Sequence, residues 1–214
     1  MKAFEIIKIG STLLKENKIP SYILDSEILL AKTLNEPREK ILVNLDQKVC
    51  KKKILLFNEY LIRRSKKEPI AYILQEKEFC SRNFIVNKNT LIPRPETELM
   101  VDQLTKIYNG KKISVLDIGT GSGCIIISLL SFLKSSIGMG IDISKCAINT
   151  AKKNALKHKL TNRTKFLVKS FNNVFHRKFD LVVSNPPYIQ TKDIKNLSDD
   201  IKRYEPRMAL DGGN

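Results

Sequence analysis

The hydrophobic period changes once along the 214-residue chain, near Ile113, and that change decides what the chain can fold into. Up to about residue 77 the apolar residues recur at helical spacing: Leu24, Ile28, Ala31 and Leu34 in one run, Ile54, Phe57 and Leu61 in another. Each run puts one apolar stripe on a helix, the pattern of a small all-α domain. Pro37 and Pro69 punctuate it, because proline disfavours helix at its own position and at the residue before it. From Ile113 onward, short apolar runs (SVLDIG, IGMGID, TKFLV, FDLVVS) alternate with helical stretches such as CIIISLLSFL and CAINTAKKNALKHK. Such runs read as strands buried on both faces, and their order implies a parallel, doubly wound α/β sheet. Ligands of such a sheet lie beyond the carboxyl ends of its strands, where the strand order reverses.

Between the two patterns, FIVNKNTLIPRPET combines β-branched alternation, an Asn-rich turn and two prolines, which reads as a β-hairpin linker. A helix with Met100, Leu104 and Ile107 on one face follows. The expected organisation is therefore a helical domain over 1–77, a hairpin linker over 78–95, and an α/β domain over 96–214.

Composition removes several function classes. No apolar run approaches the roughly 18–20 residues needed to span a bilayer, and the opening MKAFEIIKIG mixes charge with apolar residues, so a cytoplasmic protein without membrane attachment is expected. Cys50, Cys80, Cys124 and Cys146 are scattered, with no CxxC pair and two histidines in the chain, which favours neither a metal site nor a disulfide framework. The net charge of +16 suggests attraction to polyanions, yet lysines occur throughout, so a solvated basic surface explains it as well as a nucleic-acid groove does.

Three short motifs carry the chemistry. DIGTGSG, Asp117 to Gly123, lies between the first strand of the second pattern and its helix. Gly119, Gly121 and Gly123 permit positive φ and let a ligand press on the backbone at Thr120 and Ser122, with free helix N–H groups behind. The third glycine falls one place early for a dinucleotide fingerprint, and no Gly-Lys-Ser/Thr follows, so a phosphate cradle is disfavoured. Asp142, in GIDIS, ends the next strand about twenty residues later and can accept both hydroxyls of a ribose. It could equally cap the next helix, unless Ser144 does so. An adenosine-containing ligand without a pyrophosphate results, and S-adenosylmethionine fits best. The third motif is SNPPYI, a rigid turn behind the strand FDLVVS, in which Pro186 and Pro187 donate no amide hydrogen.

In this order and spacing, DIGTGSG, GIDIS and SNPPYI resemble the class I S-adenosylmethionine-dependent methyltransferases that carry Asn/Asp-Pro-Pro-Tyr and methylate planar nitrogen. EPIAYILQEKEF, FIVNKNTLIPRPETE and YEPRMALDGG are similar to the HemK/PrmC-type protein-(glutamine-N5) methyltransferases, which modify the Gln of the Gly-Gly-Gln motif in peptide-chain release factors. The resemblance covers nearly the whole chain. It implies a Rossmann-like class I methyltransferase sheet, S-adenosylmethionine as cofactor, a release factor as protein partner recognised through the helical domain, no stable nucleic-acid complex, and a monomer. It also implies a catalytic set of Asn185, Pro186 and Tyr188, with Asn185 counted among the cofactor contacts as well. The Asn185 side-chain oxygen and the Pro186 carbonyl would each accept one N–H of the substrate amide, turning its nitrogen toward the methyl donor and stabilising the developing charge. Tyr188 would restrict the planar amide by stacking, with Pro187 completing the substrate-binding turn.

Two further residues are implied with alternatives beside them. Phe171 stands where family members often flank the adenine with an aromatic ring, and is equally a core Phe. Arg94, with Glu96 and Thr97, matches the family's linker motif at the substrate entrance, although Pro95-Glu96-Thr97-Glu98 is also a good helix start. The family's sheet runs to seven strands where four are readable here, so an incomplete copy of a longer protein is expected, with FDLVVS at an open edge. A nucleic-acid amino methyltransferase and an inactive, cofactor- or partner-binding remnant are the competing readings.

Overall fold

The computed structural model describes residues 1–173 and 177–214. They form two units, Met1–Leu74 and Gln75–Asn214.

The first unit is helical: α1 (Ala3–Glu16), α2 (Tyr22–Leu34), α3 (Arg38–Val43), α4 (Lys51–Ser65) and α5 (Ile70–Leu74). Its core joins Ile6 and Leu14 of α1, Leu29 and Leu30 of α2, and Phe57 and Leu61 of α4. Gly10 lets α1 come close, since a Cβ there would stand 2.8 Å from the Phe57 ring. The face expected of α4 is the buried one, but that of α2 is rotated: Leu24 is exposed, while Ser26, Leu29, Leu30 and Thr33 are buried. The cause is polar. Ser26 Oγ donates to the Ile7 carbonyl, and Asp25 is buried against Arg64 of α4, with Arg64 Nε donating at 2.6 Å. Apolar spacing cannot register a helix face that is turned inward by an ion pair.

The second unit opens with a hairpin, β1 (Glu76–Phe79) and β2 (Arg82–Ile85), paired antiparallel. Its two-residue turn is Cys80-Ser81, both at positive φ (49° and 56°), the geometry that follows the strands' twist. The Asn-rich stretch expected to supply the turn lies after the hairpin, where the Asn87 side chain accepts from the Asn89 amide. Helix α6 (Pro95–Ile107) then starts with proline at its first turn. It buries Val101 and leaves Ile107 exposed, so its inner face is centred one position from the expected stripe.

The sheet is built from β3 (Ser114–Ile118), β4 (Ile137–Asp142), β5 (Thr164–Val168) and β6 (Leu181–Ser184), with α7 (Cys124–Phe132) and α8 (Lys145–Lys157) between strands. All its pairings are parallel, in the order β5-β4-β3-β6. The order reverses between β3 and β6, which places the switch point at the carboxyl ends of these two strands. Helices α6, α7 and α8 share one core with Val115, Phe166 and Val183 of the sheet. At Gly138 a Cβ would fall 2.6 Å from Ile126, so glycine there lets α7 lie flat on β4. Leu116, Met139 and Ile141 form a smaller cluster with Ile118, Leu167 and Phe179. The strands alternate faces, and β3 and β4, each with three consecutive buried residues, are close to the expected burial on both. Val168 of β5 and Val182 of β6 are about half exposed, because these strands flank the sheet.

After β6 come β7 (Ile189–Gln190), α9 (Asp199–Tyr204) and β8 (Asp211–Gly213), with β7 and β8 paired in parallel. Among the described residues, no helix is long and apolar enough to cross a membrane.

Candidate active site

The loop that leaves β3 is held by hydrogen bonds with both the backbone and the side chains of its neighbours. Gly119, Gly121 and Gly123 stand at φ of 70°, 56° and 80°, a region that side chains disfavour. The Thr120 amide donates to the Ile141 carbonyl at 2.9 Å, and the Asn154 side chain donates to the Ser122 carbonyl at 2.8 Å. Asp142 uses both oxygens: Oδ2 accepts from the Gly121 amide (3.0 Å) and Oδ1 from the Ser144 amide (2.9 Å). Ser144 is the cap of α8, its Oγ accepting from the Ala147 amide at 3.2 Å. The helix-cap role therefore falls to Ser144, and Asp142 ties the glycine loop to β4.

Gly119, Thr120, Gly121, Ser122 and Asp142 line one cleft of about 570 Å³. Phe171, largely exposed, stands on its rim rather than in the core, and Lys169 lies beside it. Gly123 does not line the cleft. It starts α7 from behind, where a Cβ would press on Ile127 and Ala151.

On the other side of the switch point, Ser184 Oγ donates to the Ile118 carbonyl and fixes the end of β6 against β3. Pro187 faces the same cleft, whereas Tyr188, 78% exposed, lines a second cavity of about 520 Å³. Asn185 and Pro186 line both. Two of the three residues expected to hold an acceptor amide thus form the partition between two adjoining cavities. The turn is backed closely: the Ile189 amide donates to the Leu210 carbonyl, and a Cβ at Gly212 would fall 2.7 Å from the Pro187 carbonyl oxygen. Asp211 accepts from Thr191 and Arg207, bonds that hold its carboxyl below the usual carboxylate range.

Arg94 also lines both cavities, and its guanidinium is already engaged. Its Nη2 donates to Glu205 at 2.5 Å, and the second Glu205 oxygen accepts from the Ile92 amide at 3.1 Å. Sequence reasoning missed Glu205. YEPR was visible as a motif, but nothing local tells that its carboxylate is buried against a residue 111 positions away.

Burial dominates the electrostatics beneath the loop. Asp117 is fully buried; one oxygen accepts from Thr120 Oγ1 at 2.6 Å and the other has no hydrogen-bond partner among the described residues. Loss of water pushes its carboxyl up to about 7, with the nearby Asp142 charge adding to the rise and Thr120 opposing it. Burial likewise pushes the Cys124 thiol up to about 12, which makes it a poor nucleophile. No group of three or more potential metal ligands occurs among the described residues.

Comparison with known proteins places the whole chain in a family. Residues 95–205 match the Methyltransferase small domain family, and residues 5–74 match the PrmC N-terminal domain. The chain is 38% identical to the Bifunctional methyltransferase of Rickettsia conorii, an alignment that covers 96% of this chain and 44% of that protein. It is 38% identical to the Release factor glutamine methyltransferase of Geobacter sulfurreducens, over 94% of this chain and 70% of that protein. With the enzyme of the same name from Leptospira interrogans it shares 39% identity over 96% of this chain and 73% of that protein. The chain spans less than half the length of the bifunctional relatives it matches. With this coverage and identity, and with both of its units matched, the chain belongs to the release factor glutamine methyltransferase family.

Proposed function

We propose that the chain transfers a methyl group from S-adenosylmethionine to the side-chain amide nitrogen of the Gln in the Gly-Gly-Gln motif of a peptide-chain release factor. The observation that carries the reading is the position of Asn185 and Pro186 between the two cavities. A methyl donor on one side and a carboxamide on the other would meet at these residues.

The cleft fits the cofactor on chemical grounds. The backbone at Gly119 is bare, with nothing within 4 Å of where a Cβ would stand, so a flat ligand can lie directly on it. Asp142 spends one lone pair per oxygen on an amide, which leaves acceptor capacity for ribose hydroxyls. Phe171 supplies an apolar rim for the adenine. Bound there, S-adenosylmethionine would supply the electrophilic methyl group. An amide nitrogen is a weak nucleophile because its lone pair is delocalised into the carbonyl. Accepting both its N–H groups at Asn185 Oδ1 and the Pro186 carbonyl fixes its direction and offsets the positive charge that grows on it. The two prolines hold these acceptors with little torsional freedom. Proton loss follows methyl transfer, when the nitrogen is far more acidic, so a strong base is not required. The exposed Tyr188 ring becomes covered as the substrate enters, and the helical unit is assigned to recognition of the release factor.

The test is to incubate the chain with methyl-labelled S-adenosylmethionine and a purified release factor, then map the label by mass spectrometry. Label is expected on the Gln of Gly-Gly-Gln and should vanish when that Gln is replaced. Label on RNA or DNA with an unmodified release factor would instead support the nucleic-acid reading.

A further inference from the structure

We propose that Glu205 is a positioning residue that sets the acceptor cavity by locking its two walls together; this rests on the acceptor role given above to that cavity. One wall comes from the segment before α6 and from α6 itself, through Leu91, Thr97 and Met100. The other comes from the segment after Tyr188, through Leu197, Ile201 and Leu210. The walls lie about a hundred residues apart in sequence, and apolar contact alone leaves their separation soft. Glu205 joins them. Its side chain is 1% exposed, and a carboxylate so buried is tolerated only when it faces a cation and its oxygens accept hydrogen bonds. Both conditions are met from the first wall, by Arg94 at one oxygen and the Ile92 amide at the other. Neither wall can shift without separating this ion pair and leaving the buried carboxylate unpaired.

This gives Arg94 a different part from direct substrate contact. A guanidinium donates in a fixed plane, so once Nη2 is committed to Glu205 the group is held as part of the cavity wall. The same second wall presses on the turn: Gly212 lies against the Pro187 carbonyl, and β7 and β8 pair on either side of the segment that carries Glu205. Loosening Glu205 would free the second wall and blur the direction of the acceptor amide, while the glycine loop and Asp142, fastened to β4, stay in place.

Glu205→Ala and Glu205→Gln would be compared with the unaltered chain for release-factor kinetics and, by calorimetry, for S-adenosylmethionine affinity. The alanine variant is expected to lower kcat/KM for the release factor by roughly 30-fold or more, as displacement of a reacting group does, and to leave cofactor Kd within about twofold. The glutamine variant, which keeps the shape but only one of the two acceptor oxygens, should recover part of the loss and fall between the alanine variant and the unaltered chain. Arg94→Ala, which keeps the Ile92 bond, should reproduce much of the Glu205→Ala loss, and the double variant should be no worse than Glu205→Ala, since that variant already cuts the tie to Arg94. Parallel loss of cofactor affinity and acceptor kinetics, or additive effects in the double variant, would overturn the proposal. If the unaltered chain fails to label a release factor, the functional reading falls and the lock is read by amide hydrogen exchange. Faster exchange at Ile92 in Glu205→Ala with unchanged protection at Thr120 supports it, and equal loosening at both overturns it.

Discussion

The two sides of the switch point are built by different means. On the cofactor side the ties stay within the adjoining strands and helices of one sheet segment: Gly121 to Asp142, Ser144 to Asp142, Thr120 to the Ile141 carbonyl, Asn154 to the Ser122 carbonyl. On the acceptor side the turn Asn185–Tyr188 is rigid by composition, but its surroundings come from distant segments, Ile92 and Arg94 from one direction and Glu205 to Gly212 from another. A site made this way separates two tasks. In the proposed reaction the donor would be bound by the β3-loop-β4 segment with α8 behind it, and the acceptor by tertiary contacts that can vary without disturbing it.

The largest effect that bears on this separation is expected from Asn185→Ala. It removes one oriented acceptor beside the transferring methyl group, so turnover on a release factor should fall roughly 10²–10³-fold. Cofactor affinity should change little, because the glycine loop and Asp142 are untouched. Equal losses in titrations with S-adenosylmethionine and in turnover would mean that the two sides act as one.

Asp142→Ala probes the other side. Losing hydroxyl bonds to a charged acceptor, each worth roughly 1.5–3 kcal/mol, should weaken S-adenosylmethionine binding by about one to three orders of magnitude, with turnover at saturation largely kept. The two amides that Asp142 accepts from give the variant a second consequence, a modest stability loss as Gly121 and Ser144 lose their partner. A calorimetric titration showing unchanged affinity in a folded variant would remove the ribose role and leave Asp142 as a loop anchor alone.

This contrast also explains what could be read from the sequence. The four sheet strands, α7, α8, the glycine loop and Asp142 were all legible, because each is announced by period, by glycine spacing or by position at a strand end. The hairpin turn at Cys80-Ser81 was not, since neither residue is a usual choice for positive φ. The buried face of α2 was hidden by the Asp25–Arg64 pair, which no hydrophobic stripe reports. Glu205 and Gly212 were beyond reach for a related reason: one matters through a partner 111 residues earlier, the other through the carbonyl it lets approach.

A smaller effect concerns Asp117, under the loop. In the unfolded chain its carboxyl ionises near the ordinary value of 3.8, and in the folded chain near about 7. Between these values the folded state holds one more proton, so this residue's contribution to stability is full below about pH 4 and is lost as pH rises toward 7. Asp117→Asn should remove that dependence, at about 1.4 kcal/mol per tenfold change in proton affinity. Urea midpoints of the two proteins should diverge with rising pH, the variant being the more stable at pH 8. Parallel curves would show that Asp117 is ionised in the folded protein at neutral pH.

The smallest effect belongs to Ser144, and it tests whether the cofactor side is a unit or a set of independent bonds. Its Oγ caps α8 through the Ala147 amide, while its own amide reaches Asp142. Ser144→Ala deletes the first bond and keeps the second, because the second is made by main chain. Loss of a cap costs about 1 kcal/mol, to be seen as a lower urea midpoint with the denaturant slope unchanged. If the Asp142 bonds hold the loop by themselves, S-adenosylmethionine affinity should stay within about twofold. A larger drop in affinity would mean that the start of α8 positions Asp142, and the short-range ties on this side would then be cooperative rather than separable.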